Sequence, residues 1–307
     1  MKKILIFILV TSIICVKGFA QQYPQYSHYM FNKSGLNPGY TGMSELVCVN
    51  VISHNQWLGW DKSPKTQLLT IDTPLNLFGL EHGVGLSMFS DNQGFEKNFS
   101  LKLGYSFHKS VAGGKLGIGF DAGIFNKTID ADFEFPEVPE ALFTNFKQKI
   151  VFDLGVGAFY EYDNIYTGLS VMNLNRAKLD YNSEGEFQLE NHYIFTAGYN
   201  IQLANALIDL SPSFLIKSDL VTLEYDLNLL LTYNKKIWGG VTYRKKDALV
   251  FFAGAILYNN IKLGLAYDLT LTNIQTVSNG TFEVYVGYAF DFIKPISVKQ
   301  YRSVRFL

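Results

Sequence analysis

Leu220–Asn234, LVTLEYDLNLLLTYN, alternates between two kinds of side chain. Val221, Leu223, Tyr225, Leu227, Leu229, Leu231 and Tyr233 share one parity, and Thr222, Glu224, Asp226, Asn228 and Thr232 share the other. A strand sends successive side chains to opposite faces, so the stretch has one apolar face and one charged face. Tyrosines stand towards the ends of the apolar face, where a membrane strand passes from hydrocarbon into head groups. A soluble sandwich strand would also have one greasy face. Recurrence of the pattern decides between the two.

It recurs about fourteen times, at roughly 45–54, 65–73, 82–90, 96–108, 115–126, 149–160, 164–172, 188–200, 206–217, 220–233, 236–245, 248–258, 260–270 and 281–291. In Phe99–His108 the apolar set Phe99, Leu101, Leu103, Tyr105 and Phe107 opposes Ser100, Lys102, Gly104, Ser106 and His108. In Leu116–Phe125 the set Leu116, Ile118, Phe120, Ala122 and Ile124 opposes Gly117, Gly119, Asp121 and Gly123. Glycines and charges make a poor sandwich core and a reasonable barrel lumen. The longest connections, Lys127–Gln148 and Asn173–Phe187, follow the fifth and seventh segments; short turns near Tyr162–Asn164, Asn234–Lys235 and Asn259–Asn260 follow the sixth, tenth and twelfth. With a periplasmic N-terminus, long loops fall outside and short turns inside, as in outer-membrane barrels. An open sheet would leave backbone groups unpaired in lipid, so the strands must close. The expectation is an all-β, transmembrane antiparallel β-barrel of outer-membrane type over 45–291, with both termini periplasmic.

Met1–Ala20 carries Lys2 and Lys3, an apolar run from Ile4 to Val16, and Gly-Phe-Ala before Gln21, which reads as a signal peptide. Its apolar run is too short to span a bilayer. Cys15 lies within it without a lipoprotein box, so Cys48 is the only cysteine left for the exported chain and no internal disulfide can form. The net charge of -1 argues against a nucleic-acid partner. Charged residues, at 17%, fall below the usual quarter or so, which suits a surface partly in lipid. Residues 21–44 lack a period and read as an irregular lead-in tucked into the barrel mouth.

No catalytic motif stands out. His28, His54, His82, His108 and His192 are scattered without metal-site spacing, and no cofactor is expected. Ser106 and His108 share a polar face, but an outer-membrane lipase needs such a pair on the lipid side, and GxSxG, HExxH and GxxxxGK[ST] are missing. The acidic run Ile129–Glu140 lacks the ligand spacing of a calcium loop and reads as a solvated, aromatic-studded loop. Ser90–Phe95 reads as a tight outward turn.

Lys102, Asp121, Asp153, Asp209, Lys217, Glu224, Asp226, Arg244, Lys262, Asp268 and Glu283 fall on the lumen parity. Their mixed signs suggest ion pairs that fill the interior, with no single-sign ring to select ions. A barrel of about fourteen strands is wide enough for a water-filled pore unless blocked, and the lead-in and the Lys127–Gln148 loop are the candidate plugs. Residues 292–307, with Lys294, Lys299, Arg302 and Arg305, form a basic periplasmic tail that is either frayed or a docking segment.

Several stretches, in order, resemble the PorP/SprF family of type IX secretion and gliding-motility proteins. They are Gln25–Pro38 (QYSHYMFNKSGLNP), Gln56–Trp60 (QWLGW), Pro64–Pro74 (PKTQLLTIDTP), Gly104–His108 (GYSFH), Tyr166–Leu174 (YTGLSVMNL) and His192–Tyr199 (HYIFTAGY). Pro212–Lys217 (PSFLIK), Trp238–Ala248 (WGGVTYRKKDA), Leu263–Leu271 (LGLAYDLTL), Phe282–Phe290 (FEVYVGYAF) and Val304–Leu307 (VRFL) complete the series. The chain departs from the family pattern at His54-Asn55 and Thr281-Phe282. The resemblance implies a non-enzymatic barrel that works beside other type IX components. It would hold the C-terminal sorting domain of a secreted, adhesin-like cargo at the cell surface, among outer-membrane lipid and lipopolysaccharide. Exposed aromatics would make that contact, and Trp57, Trp60, Phe95, Phe133, Phe135, Leu142, Phe143 and Phe146 are the candidates. A diffusion channel or hydrophobic-solute transporter is the alternative.

Overall fold

A computed structural model describes residues 23–129, 148–180, 186–203 and 207–291. Its strands are β1 (Val47–Asn55), β2 (Lys65–Leu77), β3 (Leu80–Gln93), β4 (Glu96–Val111), β5 (Gly114–Ile129), β6 (Lys149–Tyr162), β7 (Ile165–Met172), β8 (Lys178–Asp180) and β9 (Glu186–Gln188). They continue with β10 (His192–Tyr199), β11 (Ile201–Gln202), β12 (Ile208–Ser218), β13 (Leu223–Tyr233), β14 (Ile237–Arg244), β15 (Ala248–Ile256), β16 (Ile261–Thr270) and β17 (Thr281–Phe290). β8 and β9 pair only with each other, in a small hairpin within a loop. β11 continues β10 past Asn200, and both lie against β12. The rest form a closed antiparallel barrel of 14 strands, each paired with its neighbours in sequence, with β1 paired to β17 to complete the ring. All fourteen segments expected from the alternation are there. No helix among the described residues is long and apolar enough to cross a membrane, which says nothing of a barrel.

The pleat sorts side chains as the periodicity requires. On β13, Leu229 is 43% exposed on the outer face while Asp226, on the inner face, is fully buried. Ile118 and Phe120 on β5, Phe152 on β6, and Leu263 and Leu265 on β16 likewise point out of the barrel, an apolar surface that needs hydrocarbon to cover it. Two-residue turns close one end, among them Phe78-Gly79 and Ala112-Gly113, with φ of 54 and 77 and of 49 and 84. Positive φ at both positions gives the turn whose twist matches that of the flanking strands. The opposite end carries the longer connections, including 56–64, 173–191 and 271–280.

Residues 23–44 run down the inside of the barrel. The Tyr23 ring lies 5.6 Å from that of His192, tilted by 42°, at the start of β10 and the long-loop end. Ser44 reaches Cys48 at the start of β1, at the short-turn end. Two 3-10 turns, Tyr29–Phe31 and Pro38–Tyr40, shape the path between. The lead-in enters the lumen at the long-loop end, whereas β17 ends at the short-turn end, beside the start of β1. The signal segment 1–20 and the tail 292–307 lie outside the described residues.

Candidate functional site

The lumen face of the strands is built to receive the lead-in. Near the long-loop end, Glu283 of β17 is fully buried and accepts from the backbone N–H groups of Ser27 and His28, both at 2.8 Å. The Nδ1 atoms of His28 and of His54 on β1 stand 2.7 and 2.8 Å from the same carboxylate. Beside it, Arg244 of β14 bridges Asp226 of β13 at 3.3 Å and Asp268 of β16 at 2.8 Å. The lead-in joins this network too, with Gln25 donating to Asp226 at 2.7 Å and Ser27 donating to Asp268 at 2.9 Å. Lys217 of β12 donates to the carbonyl of Pro24 at 3.0 Å and lies 3.9 Å from Glu224. On the opposite wall Lys102 pairs with Asp121 at 3.2 Å and with Asp153 at 2.8 Å. These charged lumen residues therefore fall into distinct groups, and three of them, around Glu283, Arg244 and Lys217, grip the lead-in directly.

Lower down the contact is backbone against backbone. A Cβ built on Gly117 would stand 2.1 Å from the carbonyl oxygen of Gly39, and one on Gly119 would stand 2.2 Å from that of Pro38. Any side chain there would displace the turn. Ser106 donates to the Gly39 carbonyl at 3.0 Å, and the Nε2 of His108 lies 3.1 Å from the Thr41 carbonyl. The Ser/His pair weighed as a catalytic candidate is thus occupied in seating the lead-in. Asn37 caps its own turn through Gly39 N–H and donates to the carbonyl of Ala158 on β6.

Apolar packing completes the seal. Tyr26 belongs to a buried cluster with Ile52, Leu68, Trp238, Phe252 and Tyr285, against which Met30 and Phe31 pack. Tyr29 and Leu36 cluster with Met172, Ile194 and Leu215. Each such side chain contributes about 1.5–3 kcal/mol when withdrawn from water. The lumen holds the chain's own N-terminal segment, one of the two candidate plugs, together with the ion pairs between strands that the parity suggested. Sequence reasoning missed Tyr26, Tyr29 and the apolar lumen residues facing them. Their signal was available as interruptions of the polar parity, such as Leu230 on β13 and Phe252 on β15. It also treated the five histidines as unrelated, whereas His28 and His54 meet on Glu283. No group of three or more potential ligands for a metal ion occurs among the described residues.

The long-loop end retains a cavity of about 710 Å³ above the plug, lined by Tyr23, Pro24 and Gln25 of the lead-in and by Trp57, Trp60 and Phe95. The Trp57 and Trp60 ring centroids are 5.7 Å apart, and Lys62 Nζ lies 4.0 Å from the Phe95 ring. Trp57 sits in the left-handed region at φ 50, uncommon for a bulky side chain. It is held there by neighbouring bonds from Leu58 N–H to the Gly280 carbonyl and from Asn279 N–H to the Leu58 carbonyl. Three of the aromatic candidates thus meet in one pocket. Phe133, Phe135, Leu142, Phe143 and Phe146, with most of the acidic run, fall outside the described residues.

Fold and site together define a plugged transmembrane β-barrel of outer-membrane type. The model of one family, the type IX secretion system membrane proteins PorP/SprF, matches residues 18–288, and the chain belongs to that family. Among solved structures, a deletion mutant of TodX, a monoaromatic hydrocarbon channel, aligns with a TM-score of 0.51 and 9% identity, covering 85% of this chain and 94% of that one. A mutant of the Rh. blastica porin aligns with a TM-score of 0.38 and 10% identity, over 80% of this chain and 99% of that one. At such identities the likeness to TodX concerns the fold alone. No curated protein matches the sequence.

Proposed function

We propose that this barrel is a non-enzymatic component of type IX secretion that binds a secreted protein by its C-terminal sorting domain and anchors it at the cell surface. In this reading the long loops face outward, lipid and lipopolysaccharide surround the apolar wall, and other secretion components meet the short-turn face. The observation that carries it is the filled lumen beneath an aromatic pocket. A segment held in the lumen by Glu283, Asp226 and Asp268 favours exchange at the mouth over passage through the barrel. Clustered aromatics around a rigid concavity are the usual anchor points of a protein interface.

The second reading, a diffusion channel or hydrophobic-solute transporter, draws on the TodX-like fold. Conductance in planar bilayers separates the two. The anchoring reading expects the purified barrel to insert without stable open steps, and expects steps to appear when residues 21–44 are deleted. Large, reproducible conductance by the intact chain would overturn it.

A further inference from the structure

We propose that the upper lumen wall is a peptide-binding site occupied by residues 23–28 as an intramolecular stand-in, and that a donor-rich, aromatic-bearing segment of the anchored protein displaces them. This rests on the anchoring reading and names the chemistry of what is anchored. Asp226, Asp268 and Glu283 on the wall are each at most 2% exposed. Among the described residues, Arg244 is the one cation that pairs with Asp226, Asp268 and Asp247. The rest of the wall's demand for donors falls on residues 23–28. Gln25 Nε2 donates to Asp226, Ser27 Oγ to Asp268, and the N–H groups of Ser27 and His28 to Glu283. Lys217 donates to the carbonyls of Tyr23 and Pro24 at 3.4 and 3.0 Å, and Tyr26 packs in a cluster with Ile52, Leu68 and Tyr285. The present occupant therefore defines what the wall accepts: uncharged donors, backbone groups and a ring.

That occupant fits incompletely. Gln25 Oε1 and His28 Nε2 are buried without a hydrogen-bond partner, as is Nε1 of Trp238 in the cluster that holds Tyr26. An unsatisfied buried polar atom costs about 1–3 kcal/mol, so a segment that meets the same wall without stranding its own polar atoms competes for it. The way in is open, because Tyr23, Pro24 and Gln25 line the mouth cavity of about 710 Å³ together with Asp268 and Arg244. Like charge on Asp226, Asp268 and Glu283 disfavours an acidic segment there. The lower lead-in is held differently. Gly117 and Gly119 admit no Cβ against the carbonyls of Gly39 and Pro38, and Gly42 N–H donates to Asp72. Residues 37–44 therefore stay seated while residues 23–28 exchange.

The test uses the full-length barrel in detergent and a fluorescein-labelled peptide with the sequence of residues 23–28, Tyr-Pro-Gln-Tyr-Ser-His, read by anisotropy. The tethered segment competes at an effective concentration in the millimolar range, so the unaltered barrel should bind the free peptide weakly. Gln25→Ala with Ser27→Ala loosens the stand-in and leaves the wall intact, and should tighten peptide binding at least about tenfold. Adding Asp226→Ala should reverse that gain. A peptide with Ala for its Gln and Ser should bind the loosened barrel at least about tenfold more weakly. No saturable binding to the loosened barrel, no gain over the unaltered one, equal affinity for the two peptides, or a gain that survives Asp226→Ala would overturn the proposal. Heat-modifiable gel mobility checks that the variants remain folded. Hydrogen exchange on the unaltered barrel needs no variant: amides at 23–28 should exchange at least about tenfold faster than those at 37–44, and equal protection would also overturn the proposal. If the peptide binds as expected but the unaltered barrel retains no secreted protein in cells, anchoring fails and the site stands. If a secreted protein is retained but the loosened barrel ignores the peptide, the site fails and anchoring stands.

Discussion

Replacing Glu283 by alanine should release the upper half of the lead-in and leave the lower half seated. The carboxylate is fully buried, with two backbone N–H groups and two imidazole nitrogens within 2.7–2.8 Å of it. Removing one side of a buried charged cluster costs about 3–5 kcal/mol, because the stranded donors have no water to turn to. At about 1.4 kcal/mol per decade, local opening around Ser27 and His28 becomes roughly 10²- to 4 × 10³-fold more frequent. Gly39 and Gly42 depend on other partners, Asn37 and Asp72, and should be unaffected. Hydrogen exchange followed by mass spectrometry on peptides covering 23–31 and 37–44 measures both. Equal loss of protection in the two peptides, or none in either, would refute the idea that Glu283 is the upper latch.

Other substitutions probe the remaining contacts. Gly117→Val places atoms where the Gly39 carbonyl lies, so the turn should leave its seat and stable conductance should appear. Ser106→Ala removes one hydrogen bond to a buried carbonyl, and urea unfolding in lipid vesicles should show a loss of about 1–2 kcal/mol with no change in any hydrolytic activity. Leu229→Arg, mid-strand on the outer face of β13, should cost about 2–4 kcal/mol in the same assay, while Leu223→Arg at the strand end should cost about 0–1 kcal/mol. Equal costs at the two positions would place the hydrocarbon elsewhere.

The barrel was legible because period two is a local property. Leu223 to Leu231 on one parity and Glu224 to Asn228 on the other announce a strand with two solvents, and neighbouring strands pair in order, so topology followed from counting. The lumen charges were legible by parity for the same reason. Their partners were not, since Gln25 meets Asp226 and Ser27 meets Asp268 across most of the chain's length. Periodicity says nothing about an aperiodic segment such as 23–44, whose course is set by close approach at Gly117 and Gly119 and by the Glu283 latch. Trp57 and Trp60 were recognisable as exposed aromatics, but Phe95 joins them only through the pairing of β2, β3 and β4, which brings the two loops together.

The most direct test of the account is affinity purification of the tagged barrel in mild detergent from actively secreting cells, with mass spectrometry of what remains bound. The account predicts a stoichiometric secreted protein held through its C-terminal domain and lost when Trp57 and Trp60 are replaced by alanine. A barrel recovered without any secreted partner would contradict it.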